Sequence, residues 1–291
     1  MTWLAMRLLK TLHFLPLAVV RAIGALLGAV LYALAAERRR VANANLAACF
    51  PELDRTQRAR RVRATFRRFG QGLTDRGILW HGTPERIRAM VMVEGEEHLA
   101  ALAGTPVILL APHFVGLDAG WTRLALDRRL FSIYARQKNP AADKALLAGR
   151  KRFNQPVLRS RQDGMRGALR AMADGLPFYY LPDMDFGARD AVFVPFFGVP
   201  AATVTALSRL SRLAGALVLP CVTRMTGAGY TLRIDPPWTG FPGPDLEADT
   251  RRVNAFIEDQ VRGMPEQYHW LHKRFKTRPP GATPFYSKAV P

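Results

Sequence analysis

The sequence predicts an α/β protein with a mostly parallel central sheet flanked by helices, preceded by an N-terminal hydrophobic membrane-anchoring helix. Three observations carry that expectation. From about residue 100 short apolar runs alternate with helical stretches, the runs are rich in Val, Ile, Leu and Tyr, and one long apolar segment stands near the N-terminus. The 291 residues carry 42 Lys and Arg against 23 Asp and Glu, a net charge of +19, yet 49% are hydrophobic. Such apolar content excludes a disordered polycation. A single apolar segment excludes a polytopic membrane protein. Cys49 and Cys221 are too few and too far apart for a disulfide framework or a zinc site. The charge implies an anionic partner, and nucleic acid, phospholipid, phosphorylated glycolipid and an acidic carrier protein all satisfy it.

The first element is residues 11–36, TLHFLPLAVVRAIGALLGAVLYALAA, broken only by Arg21. At about 1.5 Å per residue this is long enough for a hydrocarbon core of about 30 Å. A mid-bilayer arginine costs about 2.5–3.5 kcal/mol on insertion scales. Three arrangements therefore stand: a spanning helix, an interfacial hairpin, or a buried hairpin of a soluble protein. Arg38, Arg39 and Arg40 outweigh Arg7 and Lys10 on the other flank, which places the remaining chain in the cytoplasm by the positive-inside rule. A basic helix is expected over 54–68, its seven arginines facing an anionic leaflet, solvent or nucleic acid. Strands are expected over 107–111, 131–136, 156–160, 178–181, 217–223 and 230–234, and helices over 141–153, 165–173, 203–213 and 250–261. The resulting division is an anchor over 1–40, a basic membrane-proximal segment over 41–100, a catalytic domain over 101–278 and a poorly ordered tail over 279–291.

The most informative segment is VILLAPHFVGLDAG over 107–120. A buried strand ends at Pro112, His113 follows at once, and Asp118 stands at the mouth of the next helix, where ligands gather in open α/β sheets. Five helical residues turn the chain by about 500°, so His113 and Asp118 meet only if the chain folds back through Gly116. That geometry would let Asp118 orient the imidazole as a general base; a structural histidine is the other reading. A second cluster, YYLPDMDFGARDAVFVPFFGVPAATVT over 179–205, delivers Asp183 and Asp185 to a loop as a metal or acid/base pair. Its phenylalanines line an apolar groove or fill ordinary core. Arg136, Lys138, Arg159, Arg161 and Arg166 fall near strand ends, where cations suit phosphate. His269 and His272 lack the partners of a metal site, so a packing or phosphate-contacting role is expected of them. There is no G-x-S-x-G elbow, Rossmann fingerprint or Walker loop, and the D-F-G at Asp185 lacks the other kinase motifs.

HFVGLD, the YARQKNP strand, SRQDGMRGALRAM, LPDMDFG with VFVPFFGVPAATV, and the closing QYHWLHKRFKTRP together resemble the bacterial lipid A late acyltransferase family, the lauroyl and myristoyl transferase branch of the lysophospholipid acyltransferase superfamily. The resemblance runs from the N-terminal apolar segment to Pro279. It implies a glycerol-phosphate-acyltransferase-like fold, His113 and Asp118 as a catalytic dyad, and Arg136 in the acceptor or transition-state site. Asp183 and Asp185 match its D-x-D-like block, and Phe196 and Gly198 its FFG block. Many lipid A members carry glutamate where this chain has Asp118, so reaction type transfers more firmly than acceptor.

The resemblance also implies an O-acyltransferase at the cytoplasmic face of the inner membrane. Its donor would be a thioester of acyl carrier protein, with coenzyme A the lesser candidate, its acceptor a phosphorylated glycolipid, and no metal or cofactor would be needed. Another lipid acceptor, such as a lysophospholipid or ornithine lipid, is the alternative within this chemistry. A membrane-tethered nucleic-acid-binding module is the alternative outside it. The aromatics stand in apolar runs rather than among the basic residues, which disfavours nucleic acid.

Overall fold

The computed structural model describes residues 2–160 and 164–286. In chain order its helices are α1 Thr2–Thr11, α2 Leu17–Leu34, α3 Ala36–Cys49, α4 Arg55–His81, α5 Pro84–Met90, α6 Glu96–Ala100, α7 Leu117–Ala125, α8 Pro140–Arg150, α9 Gly164–Ala173, α10 Ala206–Ala214 and α11 Leu246–Gly263. The strands are β1 Val91–Glu94, β2 Val107–Leu110, β3 Phe131–Tyr134, β4 Val157–Ser160, β5 Phe178–Tyr180, β6 Ala191–Phe196, β7 Val199–Val204, β8 Leu217–Met225 and β9 Tyr230–Ile234.

Seven strands form one sheet in the order β1-β9-β8-β2-β5-β3-β4, parallel throughout except for the antiparallel pair β8 and β9. A parallel sheet needs both faces covered, and β2 shows how that is met. Successive side chains of a strand point to opposite faces, so Ile108 and Leu110 enter a core with α9, α10 and α11. Val107 and Leu109 enter a second core with α5, α7 and α8. All four residues of β2 are buried. Glycines bring α7 close to β8: a Cβ on Gly116 would stand 2.5 Å from the Thr223 carbonyl oxygen.

The expected strands and helices of residues 107–261 are present, with four corrections. First, β1 lies within 41–100 and pairs with β9, while Leu46 and Phe66 share a core with Ile108. The basic segment is therefore built into the same body as the sheet. Second, the VFVPFFGVP tract forms the β6–β7 hairpin, with Phe197 at φ 50° and Gly198 at φ 76° in its turn. Phe196 is fully buried against Tyr268 and Phe275, so the tract is core and not a ligand groove. Third, the expected 203–213 helix begins at Ala206 because β7 runs to Val204. Fourth, the expected disordered tail docks through residue 286: Phe285 packs on Phe275, and the Tyr286 hydroxyl accepts from the Phe275 amide at 3.1 Å.

At the N-terminus, α1 and α2 both pack on α4. The α2–α4 contact is backbone to backbone, because a Cβ on Gly28 would stand 2.4 Å from the Phe66 carbonyl and one on Gly70 would stand 2.2 Å from that of Gly24. Among the described residues one helix, α2, is long and apolar enough to cross a membrane. Its arginine is satisfied by protein: Arg21 Nε donates to Asp75 at 3.2 Å, and the guanidinium also meets the Thr226, Gly227 and Gly229 carbonyls of the β8–β9 turn. Tyr230 donates its hydroxyl to Asp75 at 2.6 Å. The opposite face leaves Leu8, Phe14, Val19, Ile23, Leu26, Val30 and Leu34 exposed. These contacts favour a hairpin laid along α4 over an isolated spanning helix, which would strand Asp75.

Asp75 has no exposed surface, and burial raises its carboxyl against the pull of Arg21. Arg21→Met is expected to cost about 3–5 kcal/mol by leaving that carboxylate without its cation. Arg21→Met with Asp75→Leu is expected to recover most of the loss, as urea unfolding of the two variants will show.

Candidate active site

Strand order decides which loops face each other. In the parallel pair β2 and β5, Ile108 stands opposite Phe178 and Leu110 opposite Tyr180, and the Ala111 amide continues the ladder to the Tyr180 carbonyl at 2.8 Å. Both strands then run into X-Pro, and the third residue beyond each strand is His113 on one and Asp183 on the other. The register carries through to the side chains. His113 Nδ1 lies 2.7 Å from Asp183 Oδ1, and the His113 backbone amide donates to the same carboxylate at 3.0 Å.

Asp183 is buried, its side chain 1% exposed, while the His113 side chain keeps 22%. Burial raises the carboxyl, but the charge and hydrogen bonds of His113 outweigh it and bring Asp183 down to about 2. In a neutral imidazole, an Nδ1–H directed at an ionised Asp183 leaves Nε2 as the free acceptor. His113 lines a cavity of about 730 Å³, within the roughly 300–1,000 Å³ typical of small-ligand sites. Its lining is largely apolar, including Phe69, Leu73, Trp80 and Leu146.

Asp118 does not hold His113. It begins α7 and is gripped from two sides, by Arg76 of α4 through Nε at 2.7 Å and by Arg150 at the end of α8 through Nε at 2.8 Å. A second nitrogen of each guanidinium also meets it, at 2.7 and 2.6 Å. Burial raises this carboxyl too, and the two arginines overcome it, holding Asp118 well below the usual carboxylate range. Gly116 has φ −77°, so the chain enters α7 directly and does not fold back to bring Asp118 to the imidazole. Asp118, Arg76 and Arg150 all line the cavity. Two cations around one carboxylate leave a net positive charge on its wall.

The remaining expected residues separate into two groups. Asp185 is a loop pin, accepting from the Gly187 amide, the Thr277 amide and the Thr277 hydroxyl at 2.6–3.0 Å. Phe196 and Gly198 belong to the hairpin and its turn. Arg136, Lys138, Arg159 and Arg166 are exposed and are not among the residues lining the cavity, although Ala135, Gln137 and Met165 beside them are. Arg161 lies outside the described residues. No group of three or more His, Cys, Asp or Glu is placed to hold a metal among the described residues.

Sequence reasoning missed Arg76, Arg150, Arg189, Arg209 and His269 as cavity residues. Arg150 had the one usable signal, a cation closing a helix that follows a strand. The closing block braces the site from behind. Phe114 bridges Tyr268, the His269 amide donates to the His113 carbonyl at 3.1 Å, and His272 Nε2 accepts from the Asp185 amide at 3.0 Å.

An α/β sheet thus sets a strand-end histidine, backed by a buried carboxylate, at the wall of a largely apolar cavity that also holds cations. The chain belongs to the bacterial lipid A biosynthesis acyltransferase family, whose family pattern matches residues 1–277. It is 34% identical to the lipid A biosynthesis lauroyltransferase of Escherichia coli (strain K12), over 98% of this chain and 94% of that one. It is 31% identical to the palmitoleoyltransferase of the same organism over the same shares, and 31% identical to its myristoyltransferase over 86% of this chain and 79% of that one. Among solved structures it is similar to the 1-acyl-sn-glycerophosphate acyltransferase of Thermotoga maritima at 13% identity. That match has a TM-score of 0.42 and covers 84% and 97% of the two chains.

Burial, with repulsion from neighbouring cations, pushes His269 down to about 3 and His272 down to about 4. Above pH 6.5 both are neutral whether folded or unfolded. Below it the unfolded chain binds protons that the folded chain refuses, so stability falls as pH falls and levels out only near pH 3–4. Thermal melts from pH 7 to pH 5 are expected to show a declining Tm, with a shallower decline in His269→Gln.

Proposed function

We propose that the protein transfers a fatty acyl group from the thioester of acyl carrier protein, with coenzyme A the lesser candidate, to a hydroxyl of a phosphorylated lipid A precursor at the cytoplasmic face of the inner membrane. The observation that carries this reading is the His113–Asp183 pair opening on an apolar cavity, in a chain of the lipid A acyltransferase family. His113 Nε2 takes the proton of the acceptor hydroxyl while Asp183 holds Nδ1 and stabilises the imidazolium. The oxygen attacks the thioester carbonyl and forms a tetrahedral oxyanion. Collapse forms the ester and breaks the C–S bond, and His113 returns the proton to the departing thiolate. No covalent intermediate on the protein is needed.

The Arg76–Asp118–Arg150 group supplies the compensating positive charge, and its fixed geometry avoids reorganisation during the reaction. Asp118 thereby acts on the arginines rather than on the base, which replaces the dyad expected from spacing. Arg189 and Arg209, at the same cavity and sharing the one carboxylate of Asp190, suit a phosphate of the acceptor. The exposed apolar side chains of α1 and α2 seat the protein in the leaflet, with Arg38, Arg39 and Arg40 at the anionic surface. The relatives bear lauroyl, palmitoleoyl and myristoyl names, so acyl length does not transfer from them.

His113→Ala is expected to abolish transfer in a folded protein, and Asp183→Asn to lower kcat by about 10²–10⁴-fold. Loss of kcat in Asp118→Asn with a fully active Asp183→Asn would return the orienting role to Asp118. Mass spectrometry of lipid A from a strain lacking the protein is expected to show one secondary acyl chain missing; an unchanged pattern would remove the lipid A acceptor.

A further inference from the structure

Residues 129–173 contain 11 Lys and Arg and only 2 Asp and Glu. Five of these cations gather where β4 forms the free edge of the sheet, with α9 alongside it. Arg136 and Lys138 stand on the loop after β3, Arg159 on β4, and Arg166 and Arg170 on α9, all exposed. The stem of Arg159 runs over Gly167, where an added Cβ would stand 4.0 Å from its Cγ, so the edge strand and α9 present their arginines together.

Among the described residues none of these five cations is in an ion pair. Several other arginines are paired, Arg88 and Arg123 with Asp127, Arg128 with Glu96 and Arg251 with Glu258, whereas among the described residues the exposed arginines of α4 are, like these five, in no ion pair. Arg166 and Arg170 are also spaced i, i+4 on a helix without an acidic residue, a like-charge pair that costs a few tenths of a kcal/mol in the free protein. Folding gains nothing from this concentration of charge.

The patch borders the cavity. Ala135 and Gln137 line it while Arg136 and Lys138 face outward, and Met165 lines it while Arg166 faces outward. We propose that this surface docks the acidic acyl carrier protein, whose tethered thioester then enters the cavity beside it. The inference rests on the carrier-protein donor proposed above. A lipid leaflet fits less well: the exposed large apolar side chains gather on α1, α2 and the turn between them, whereas this surface offers only Met165. Cations at a protein rim act chiefly on encounter and salt dependence.

The test is the variant Arg159→Glu/Arg166→Glu/Arg170→Glu, with the corresponding triple Gln variant as the milder form should the first not fold. Both are assayed with acyl carrier protein thioester and with an acyl N-acetylcysteamine thioester, which has neither protein nor phosphate. The expected result is a KM for the carrier thioester raised at least tenfold at low salt with kcat retained, unchanged kinetics with the small thioester, and unchanged sedimentation with phosphatidylglycerol-containing vesicles. An unaltered carrier KM overturns the surface, and so does an equal loss with both donors. Loss of vesicle binding with the carrier KM intact assigns the patch to the membrane instead. A wild-type protein that uses only the small thioester overturns the donor reading itself, and this surface with it.

Discussion

The parallel pairing of β2 with β5 is the constraint on which the site depends. Residue pairs in that ladder are separated by 70 positions, as in Ile108 with Phe178, and the separation is still 70 where His113 meets Asp183 three residues beyond the strands. Each strand passes through proline immediately before His113 or Asp183, and proline's fixed φ keeps both exits short and stiff. Slippage of this register would part the imidazole from its carboxylate. It would also exchange Ile108 and Leu110 for Val107 and Leu109 between the two cores, so packing on both faces of the sheet protects the site.

The closing block completes what the strands begin. Gln267 fills the amide and carbonyl of Met225 at 2.7 and 2.9 Å, and Asn45 of α3 donates to the Trp270 and His272 carbonyls at 2.8 Å. Arg274, 2% exposed, donates to the Ala202 carbonyl, the Thr203 hydroxyl and Asn254. Buried polar residues that find partners rigidify a region, and here all but Arg274 Nε of the named groups do so, in the block whose His269 amide holds the His113 carbonyl. The six histidines of the sequence thus divide by environment: His113 faces the cavity with a carboxylate behind it, and His272 is a neutral acceptor of a backbone bond.

What the sequence made legible follows from locality. Strand and helix periodicity is a property of neighbouring residues, and the six strands and four helices expected after residue 100 are all present. His113 was identifiable because it directly follows an apolar strand. Its partner was not, because Asp118 is close in sequence and Asp183 is close only once β5 is known to lie beside β2. Arg76 escaped for the same reason: it sits on α4, expected only as a basic helix ending near residue 68, yet α4 runs on to His81 and its far end forms the cavity wall. Arg136 was misplaced by the two-residue alternation of an extended chain, since Ala135 and Gln137 face inward. Short apolar tracts are ambiguous in another way: VFVPFF carries prolines and glycine nearby, and only pairing with β7 makes it a strand.

The separation of the two carboxylates has an electrostatic logic. With His113 neutral, the His113–Asp183 pair carries one negative charge, and the Arg76–Asp118–Arg150 group carries one positive charge on the same cavity. In the proposed transfer, proton uptake by His113 neutralises the first pair just as negative charge appears on the tetrahedral oxygen, which the second group offsets. The summed charge of these groups and the reacting atoms is unchanged by the step. Were Asp118 to orient His113 instead, the two guanidiniums would stand uncompensated in an apolar wall, at a desolvation cost of several kcal/mol per ion. Two carboxylates with distinct partners let one cavity hold an imidazole–carboxylate pair and a cationic group without either neutralising the other.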